Sequence, residues 1–402
     1  MSFQWRAAAI VGTGVVAALN IGKLPPALTT LRDEFALSLV QVSWMVALFA
    51  IGAALLGMAG GSIADRFGPR RTMIAGLLLL GGSGTLAAVA QGAPLLFLGR
   101  ALESVGFLLT VLPGPAILRR QVGGESLRGW LGAWGAYMPA GMSMSLFAAP
   151  ALMSLLGWRG LWFICAGAAF AWALLIVVTQ PRDPPQHGTA QPLAALARAT
   201  VGSPGPWLLS LCFMFYAGQF IGIFSFLPDI YRSAGIGAQT GASLTGFAVL
   251  FNMIGNVAAG LLMQRGVPRW ALIVAAGATM AVCAYLAFGS GLAFGGRYTA
   301  IVVLSTCGGL IPGALFATAP FYAPSMAAVS TTVGMMQQGA SLGQVLMPLA
   351  IASLAQATGG WSATWVATGA AALVTITIGL VIRRLDEVRH RRQAATAARG
   401  GV

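Results

Sequence analysis

Three ionisable side chains fall inside stretches that are otherwise apolar. Lys23 stands in A-L-N-I-G-K-L-P-P, and Arg100 and Glu103 stand in L-L-F-L-G-R-A-L-E-S-V-G. An ion in a hydrocarbon-like setting is expensive, so each marks function by default. Lys23 is the single lysine among 23 basic residues. On a helix Asn20 shares its face, while Pro25 and Pro26 loosen the backbone just beyond it. Arg100 and Glu103 share a face by the same i,i+3 spacing. Two cations and one carboxylate leave an excess of one positive charge. A small anion can supply the missing charge, with Lys23 facing a central cavity, and a proton on Glu103 can couple to that binding. The plainer readings are that Lys23 snorkels to the membrane interface or pairs with Glu103, and that Arg100 and Glu103 form a structural ion pair.

The elements that must position these residues are membrane spans. The chain has 402 residues, of which 57% are hydrophobic and only 8% charged. That excludes an ordinary soluble domain. Apolar stretches of spanning length occur at 7–31, 42–63, 72–91, 94–118, 129–155 and 159–180. After a polar, Pro/Gly-containing stretch at 181–205, six more occur at 206–229, 239–264, 268–290, 298–320, 325–358 and 362–382. The first, preceded by Arg6, imitates a signal peptide; with eleven more behind it, it reads as a retained helix. The expected organisation is a bundle of six helices over 1–180, a linker over 181–205, a second bundle over 206–382 and a basic tail over 383–402.

The net charge of +14 would suit a nucleic-acid binder, but it lies in short loops and one tail flanking apolar spans. That is the pattern of topology determinants, so no nucleic-acid partner is expected. With the N-terminus inside, one side collects Arg6, Arg66, Arg70, Arg71, Arg119, Arg120, Arg128, Arg182, Arg198, Arg265, Arg269, Arg383, Arg384, Arg389, Arg391, Arg392 and Arg399, seventeen in all. The other side has four, namely Arg32, Arg159, Arg232 and Arg297. Both termini are therefore expected to be cytoplasmic. Asp33, Glu34 and Asp229 join the outer four as rim groups. His187 and His390 lie in polar segments, and Cys165, Cys212, Cys283 and Cys307 lie in apolar ones without metal-ligand spacing, so neither a metal nor a cofactor is expected. No G-x-x-x-x-G-K-S/T run is present to bind ATP.

Between the second and third spans the chain reads G-S-I-A-D-R-F-G-P-R-R, Gly61 to Arg71. Gly61 suits close helix approach, Asp65 can cap the next helix or accept from an arginine, and Gly68 with Pro69 makes the turn. The run recurs 199 positions on as Gly260 to Arg269, with Gln264 in place of the aspartate. Gly157, Trp158 and Trp162 recur at Gly360, Trp361 and Trp365, and Pro25 at Pro228, which indicates two related halves.

The loop resembles that between helices 2 and 3 of the major facilitator superfamily of secondary transporters, matching it at Gly61, Asp65, Arg66, Gly68, Arg70 and Arg71. The resemblance covers residues 7–382. It implies an all-α polytopic membrane protein with twelve transmembrane helices in two pseudo-symmetric bundles of six that rock about a midplane site. It also implies that Gly61, Asp65, Arg66, Gly68 and Arg70 latch the outward-open state. Arg100 matches the superfamily's fourth-helix arginine, while Glu103 and Ser104 depart from the glutamine and glycine that follow it there. N-I-G-K-L-P-P-A-L, G-A-Y-M-P and G-W-R-G-L-W most resemble the cyanate-transporter-like branch, whose members carry a basic residue in a similar first-helix motif.

In such a fold, the expected lining comprises Asn20, Lys23 and Arg100 with Tyr137, Gln219, Asn252, Asn256, Gln337 and Ser341. Taken singly, each uncharged member also suits a role as interhelical glue. The reading is a monomeric secondary transporter of a small anion in an inner membrane, among membrane lipids and coupled to protons through Glu103. The alternative is a proton-driven efflux pump for amphipathic drugs or metabolites. The fifth-span pattern of such exporters is broken here, because Met138 precedes Pro139. A membrane sensor signalling through the basic tail is a third reading. An enzyme is not expected, since no nucleophile–base or metal constellation appears.

Overall fold

Apolar runs with no water to satisfy their backbone must close their hydrogen bonds within helices. In the computed structural model, residues 4–123, 126–183 and 192–399 are described, without side chains at 29, 39, 40, 42, 43, 228, 229, 232, 233, 238, 239, 242 and from 389 onward. The expectations placed on His187, Pro228, Asp229, Arg232, His390 and the last four arginines lie outside that set. Every described segment of regular structure is helical.

The first traverse is α1 (Gln4–Gly22) and α2 (Leu24–Glu34), joined at Lys23, where Pro25 and Pro26 withhold two backbone donors. Next come α3 (Leu39–Phe67) and α4 (Pro69–Ala88). The fourth traverse is α5 (Ala93–Val111) and α6 (Gly114–Gln121), interrupted around Pro113. The fifth begins with α7 (Ser126–Gly135) and continues into α8 (Tyr137–Thr179). At 43 residues α8 is twice a bilayer span, and it is broken at Gly157, where φ is 67° and ψ 177°. Beyond that break it is the sixth traverse.

The short α9 (Leu193–Val201) sits in the linker. The second half then follows with α10 (Pro204–Ser233), α11 (Ala238–Gln264), α12 (Arg269–Ala284), α13 (Phe294–Gly308) and α14 (Leu310–Tyr322) as one traverse, α15 (Val329–Thr358) and α16 (Thr364–Arg399). Twelve crossings result, in two sets of six. The helices overrun the expected spans, most of all α16, which continues unbroken past 382 into the basic tail.

The halves meet where α3 packs on α15 and where α7 packs on α11 and α14. Close approach needs small residues at these crossings. A side chain at Gly61 would collide with the Ser330 carbonyl, and one at Gly132 would meet the backbone of Gly260.

One face carries both ends of the described chain. There Gln180 Nε2 donates to the Arg6 carbonyl and Arg70 Nη2 to the Val177 carbonyl. The guanidinium of Arg119 crosses to the Pro320 carbonyl of the other half. On this face an aspartate after the sixth traverse of each half clasps the start of that half's third. Asp183 accepts from the Arg70 and Arg71 backbone N–H groups at 3.2 and 3.1 Å and from Arg120 at 3.4 Å. Asp386 accepts from Arg269 through Nε at 2.9 Å and Nη2 at 3.2 Å, and from the Tyr322 hydroxyl at 2.8 Å. The sequence pattern left Asp65 either to cap α4 or to accept from an arginine. Asp183 fills the capping place, and Asp65 reaches α15. Gly68, with φ 103°, makes the turn, and a side chain there would strike the Asp183 carboxylate.

At the opposite face Glu34 bonds Arg159 at 2.6 Å and accepts from Trp158 Nε1 at 2.6 Å. Burial pulls its pKa upward, but the Trp158 and Arg159 bonds and the Arg159 charge outweigh this and leave it lowered. This tie is therefore present above the ordinary carboxylate range and is lost as pH falls through the depressed value.

Gly61→Leu is expected to force α3 off α15 and cost about 1–3 kcal/mol by overpacking. Thermal unfolding of the purified variant measures the loss. A disulfide between Ser62→Cys and Thr331→Cys, whose hydroxyl oxygens lie 3.3 Å apart, is expected to form readily in the parent and poorly in the Gly61→Leu background.

Candidate functional site

Among the described residues, Lys23, Arg100 and Glu103 are the charged groups that are fully or almost fully buried, and the fold brings all three together. Proline-broken α1–α2 presents Lys23 at the joint, and α5 presents Arg100 and Glu103 one turn apart. Lys23 Nζ lies 2.6 Å from Glu103 Oε1, and Arg100 Nη1 lies 2.8 Å from Oε2, so a single carboxylate serves both cations. Asn20 completes the cluster. Its side-chain oxygen accepts from Lys23 at 2.8 Å, and its backbone carbonyl accepts from Arg100 Nη1 at 2.9 Å.

Rings cover both cations. Lys23 Nζ sits 4.9 Å from the Trp162 ring centre and the Arg100 guanidinium 4.5 Å from that of Phe49, a favourable placement for a desolvated cation. Of the readings open for Lys23, the geometry has the ion pair. Its ammonium is enclosed by α5, α8 and α4 of the first half and is not directed at the second. Arg100 differs. With Nη1 committed twice, its Nε is buried and has no hydrogen-bond partner.

From Arg100 a row of rings leads into the meeting of the halves. Phe49 contacts Phe107, Phe107 contacts Tyr137, Tyr137 contacts Phe316 of the second half, and Phe316 contacts Phe213 beside Tyr216. Tyr137 is thus the ring at which this row crosses between the two halves. In the second half Asn252 donates to the Tyr216 hydroxyl at 2.9 Å and to the Ser305 carbonyl at 2.8 Å. Asn256 donates to Asn252, and its own side-chain oxygen, buried without a partner, lies against Gly135 of α7. Gln219 is separate from this group, donating to the Thr368 carbonyl of α16. Gln337 and Ser341 are buried on α15, where the neighbouring Gln338 donates across to the Ala54 carbonyl of α3 at 2.9 Å.

At the chain-end face Asp65 bridges the halves. Its carboxylate accepts from the backbone N–H groups of Ser330 and Thr331 at 3.0 and 2.7 Å and from the Thr331 hydroxyl at 2.8 Å. Those N–H groups stand at the start of α15, where the helix itself supplies no acceptor and its dipole favours an anion. The second copy of the loop has no such charge, and Gln264 there reaches the Ser126 carbonyl at 3.4 Å. Arg66 lies over the Phe67 ring.

A family model described as the Major Facilitator Superfamily matches residues 10–338. The chain belongs to the major facilitator superfamily. Over 81% of its length it is 28% identical to a probable nitrate/nitrite transporter of Mycobacterium tuberculosis, covering 82% of that protein. Over 90% it is 26% identical to the 2-nitroimidazole transporter of Escherichia coli, covering 91% of it. It also matches the methylenomycin A resistance protein of Bacillus subtilis at 27% identity, over 37% of this chain and only 32% of that one. Among solved structures, that of the transporter FucP in the outward conformation aligns with TM-score 0.76 and 13% identity, over 93% of this chain and 98% of that one. The protein is therefore a multi-pass membrane transporter of this superfamily.

Sequence reasoning missed Asp183, Asp386 and Gln338. The signal for the first two was available as an aspartate just past the sixth span of each half, 113 and 117 residues after the arginine it meets.

Removing the shared carboxylate is expected to hurt more than removing either cation. Glu103→Gln leaves two buried cations without a counter-charge and is expected to cost about 3–5 kcal/mol. Lys23→Met leaves the balanced Arg100–Glu103 pair and is expected to cost less. Unfolding midpoints of the two purified variants give the comparison.

Proposed function

We propose that this transporter moves a small anion by alternating access, with Arg100 as the group that recognises it. The reading rests on one observation. A buried guanidinium keeps one donor unpartnered, in a cluster where one carboxylate faces two cations. Such a group favours a ligand that brings negative charge and hydrogen-bond acceptors. The nitrate/nitrite relative, similar over most of both chains, supports the same class. In this reading Lys23 and Asn20 are positioning residues that hold Glu103 and Arg100. Tyr137, Asn252, Asn256, Gln337 and Ser341 belong to the surfaces between which the anion passes, while Gln219 braces α10 on α16.

Charge bookkeeping then gives the coupling. The cluster carries +1 when empty and 0 with a monovalent anion. A proton on Glu103 raises the empty cluster to +2 but the occupied one only to +1. The anion thus lowers the cost of the proton, and the two travel together. The moving bodies are 1–180 and 206–382, joined through 181–205, with 383–402 as a basic tail. Gly61, Asp65, Arg66, Gly68 and Arg70 latch the state closed at the chain-end face. The positive-inside rule makes that face cytoplasmic, in a bacterial-type inner membrane. One chain suffices, and its chemistry is transport rather than catalysis.

Proteoliposome uptake of nitrate, nitrite and a panel of small carboxylates tests the reading. Uptake driven by an inward proton gradient is expected for at least one of them. Arg100→Gln is expected to weaken binding about 10- to 100-fold, the worth of a hydrogen bond to a charged group. Glu103→Gln should retain anion exchange but lose response to the gradient. Binding of bulky hydrophobic cations alone, unaffected by Arg100→Gln, would move the assignment to drug efflux.

A further inference from the structure

The chain-end face holds a second concentration of positive charge, remote from the buried cluster. A pocket of about 350 Å³ opens there within the first half. Its wall comes from the start of α4 with Arg70, the end of α6 with Arg120 and Gln121, and the segment after α8 with Gln180, Arg182 and Asp183. Three arginines line it against one carboxylate, a formal excess of +2. That carboxylate is already engaged, accepting from the Arg70 and Arg71 backbone and from Arg120. Arg70 spends Nη2 on the Val177 carbonyl at 2.7 Å, and its Nε is buried without a partner. The amides of Gln121 and Gln180 bond each other, and Gln180 is held in turn to the Arg6 carbonyl. The wall is thus tied in place and carries more positive charge than it neutralises, with Arg70 Nε an unpartnered donor and Gln121 Oε1 an unpartnered acceptor.

We propose that this pocket binds a phosphate group. Guanidinium forks match the paired oxygens of a phosphate, and a dianion balances the excess charge. The volume admits a phosphate with a small organic substituent. Of its lining residues, the transport reading uses Arg70 alone, as part of the latch.

Its placement gives it a regulatory role. Arg120 follows Arg119, which reaches the Pro320 carbonyl and lies over the Phe321 ring of the second half. Arg70 belongs to the loop whose Asp65 holds α15. A phosphate drawing Arg70, Arg120 and Arg182 together braces the first half's side of that closed face and favours the closed state. A soluble phosphate compound and a phospholipid headgroup offer the same chemistry.

The test is the unfolding midpoint of the full-length protein in phosphatidylcholine nanodiscs. In one arm inorganic phosphate replaces chloride at constant ionic strength. In the other, phosphatidic acid is added to the bilayer without free phosphate. A rise in the first arm identifies a soluble ligand, and a rise in the second alone identifies a headgroup. In either case Arg120→Gln/Arg182→Gln is expected to abolish the rise, and Arg182→Gln alone to raise the half-maximal concentration about tenfold. Arg71→Gln and Arg100→Gln are expected to leave the response intact. No rise in either arm would overturn the proposal. So would a rise that survives the double substitution, or one abolished by Arg100→Gln, which would place the phosphate at the buried cluster instead.

Discussion

A carboxylate buried among apolar helices has to find its counter-charges inside the protein, and Glu103 finds two. That shared ion pair dictates how the first half is built. It draws Lys23 from the joint of α1 and α2 onto α5, and both cations have aromatic cover, from Trp162 and Phe49. It also requires α4 to come close enough that a side chain at Gly84 would sit 3.6 Å from both Lys23 Nζ and Glu103 Oε1. Replaced by apolar groups, such a cluster often costs nothing in stability. Its presence therefore points to a use for the charge rather than to strength.

The two ends of the molecule solve different problems. Inside the first half, charge is concentrated and enclosed. At the chain-end face, charge is spread over clasps that cross helix ends, with aspartates meeting backbone N–H groups and arginines meeting carbonyls. Only one of the two related crossings carries a carboxylate between halves, because Asp65 has a glutamine as its counterpart. The α3–α15 seam is tied by a carboxylate, while at the α7–α11 seam Arg128 Nη1 donates to the Met263 carbonyl at 3.1 Å and Gly132 meets the backbone of Gly260.

Much of the architecture was legible before any coordinates. Apolar runs of spanning length fixed the twelve crossings, and i,i+3 spacing put Arg100 and Glu103 on one face. What spacing along a helix does not carry is the direction a face takes in the bundle. Lys23 could therefore be read as a cavity cation or as a partner for Glu103, and packing against Trp162 decided for the pair. Long-range partners were hidden for a related reason. Asp65 and Thr331 are separated by 266 residues and linked by no local pattern. The recurrence of the loop at Gly260 was visible, yet the acid that anchors each copy lies beyond the far end of its own half.

That arrangement bears on how the chain matures. The clasp from Asp183 to Arg70 draws on residues of the first half alone, and the clasp from Asp386 to Arg269 on residues of the second half alone. Each half thus seals itself with its own last helix, in the order of translation. The first half can therefore close on itself while the second is still being made.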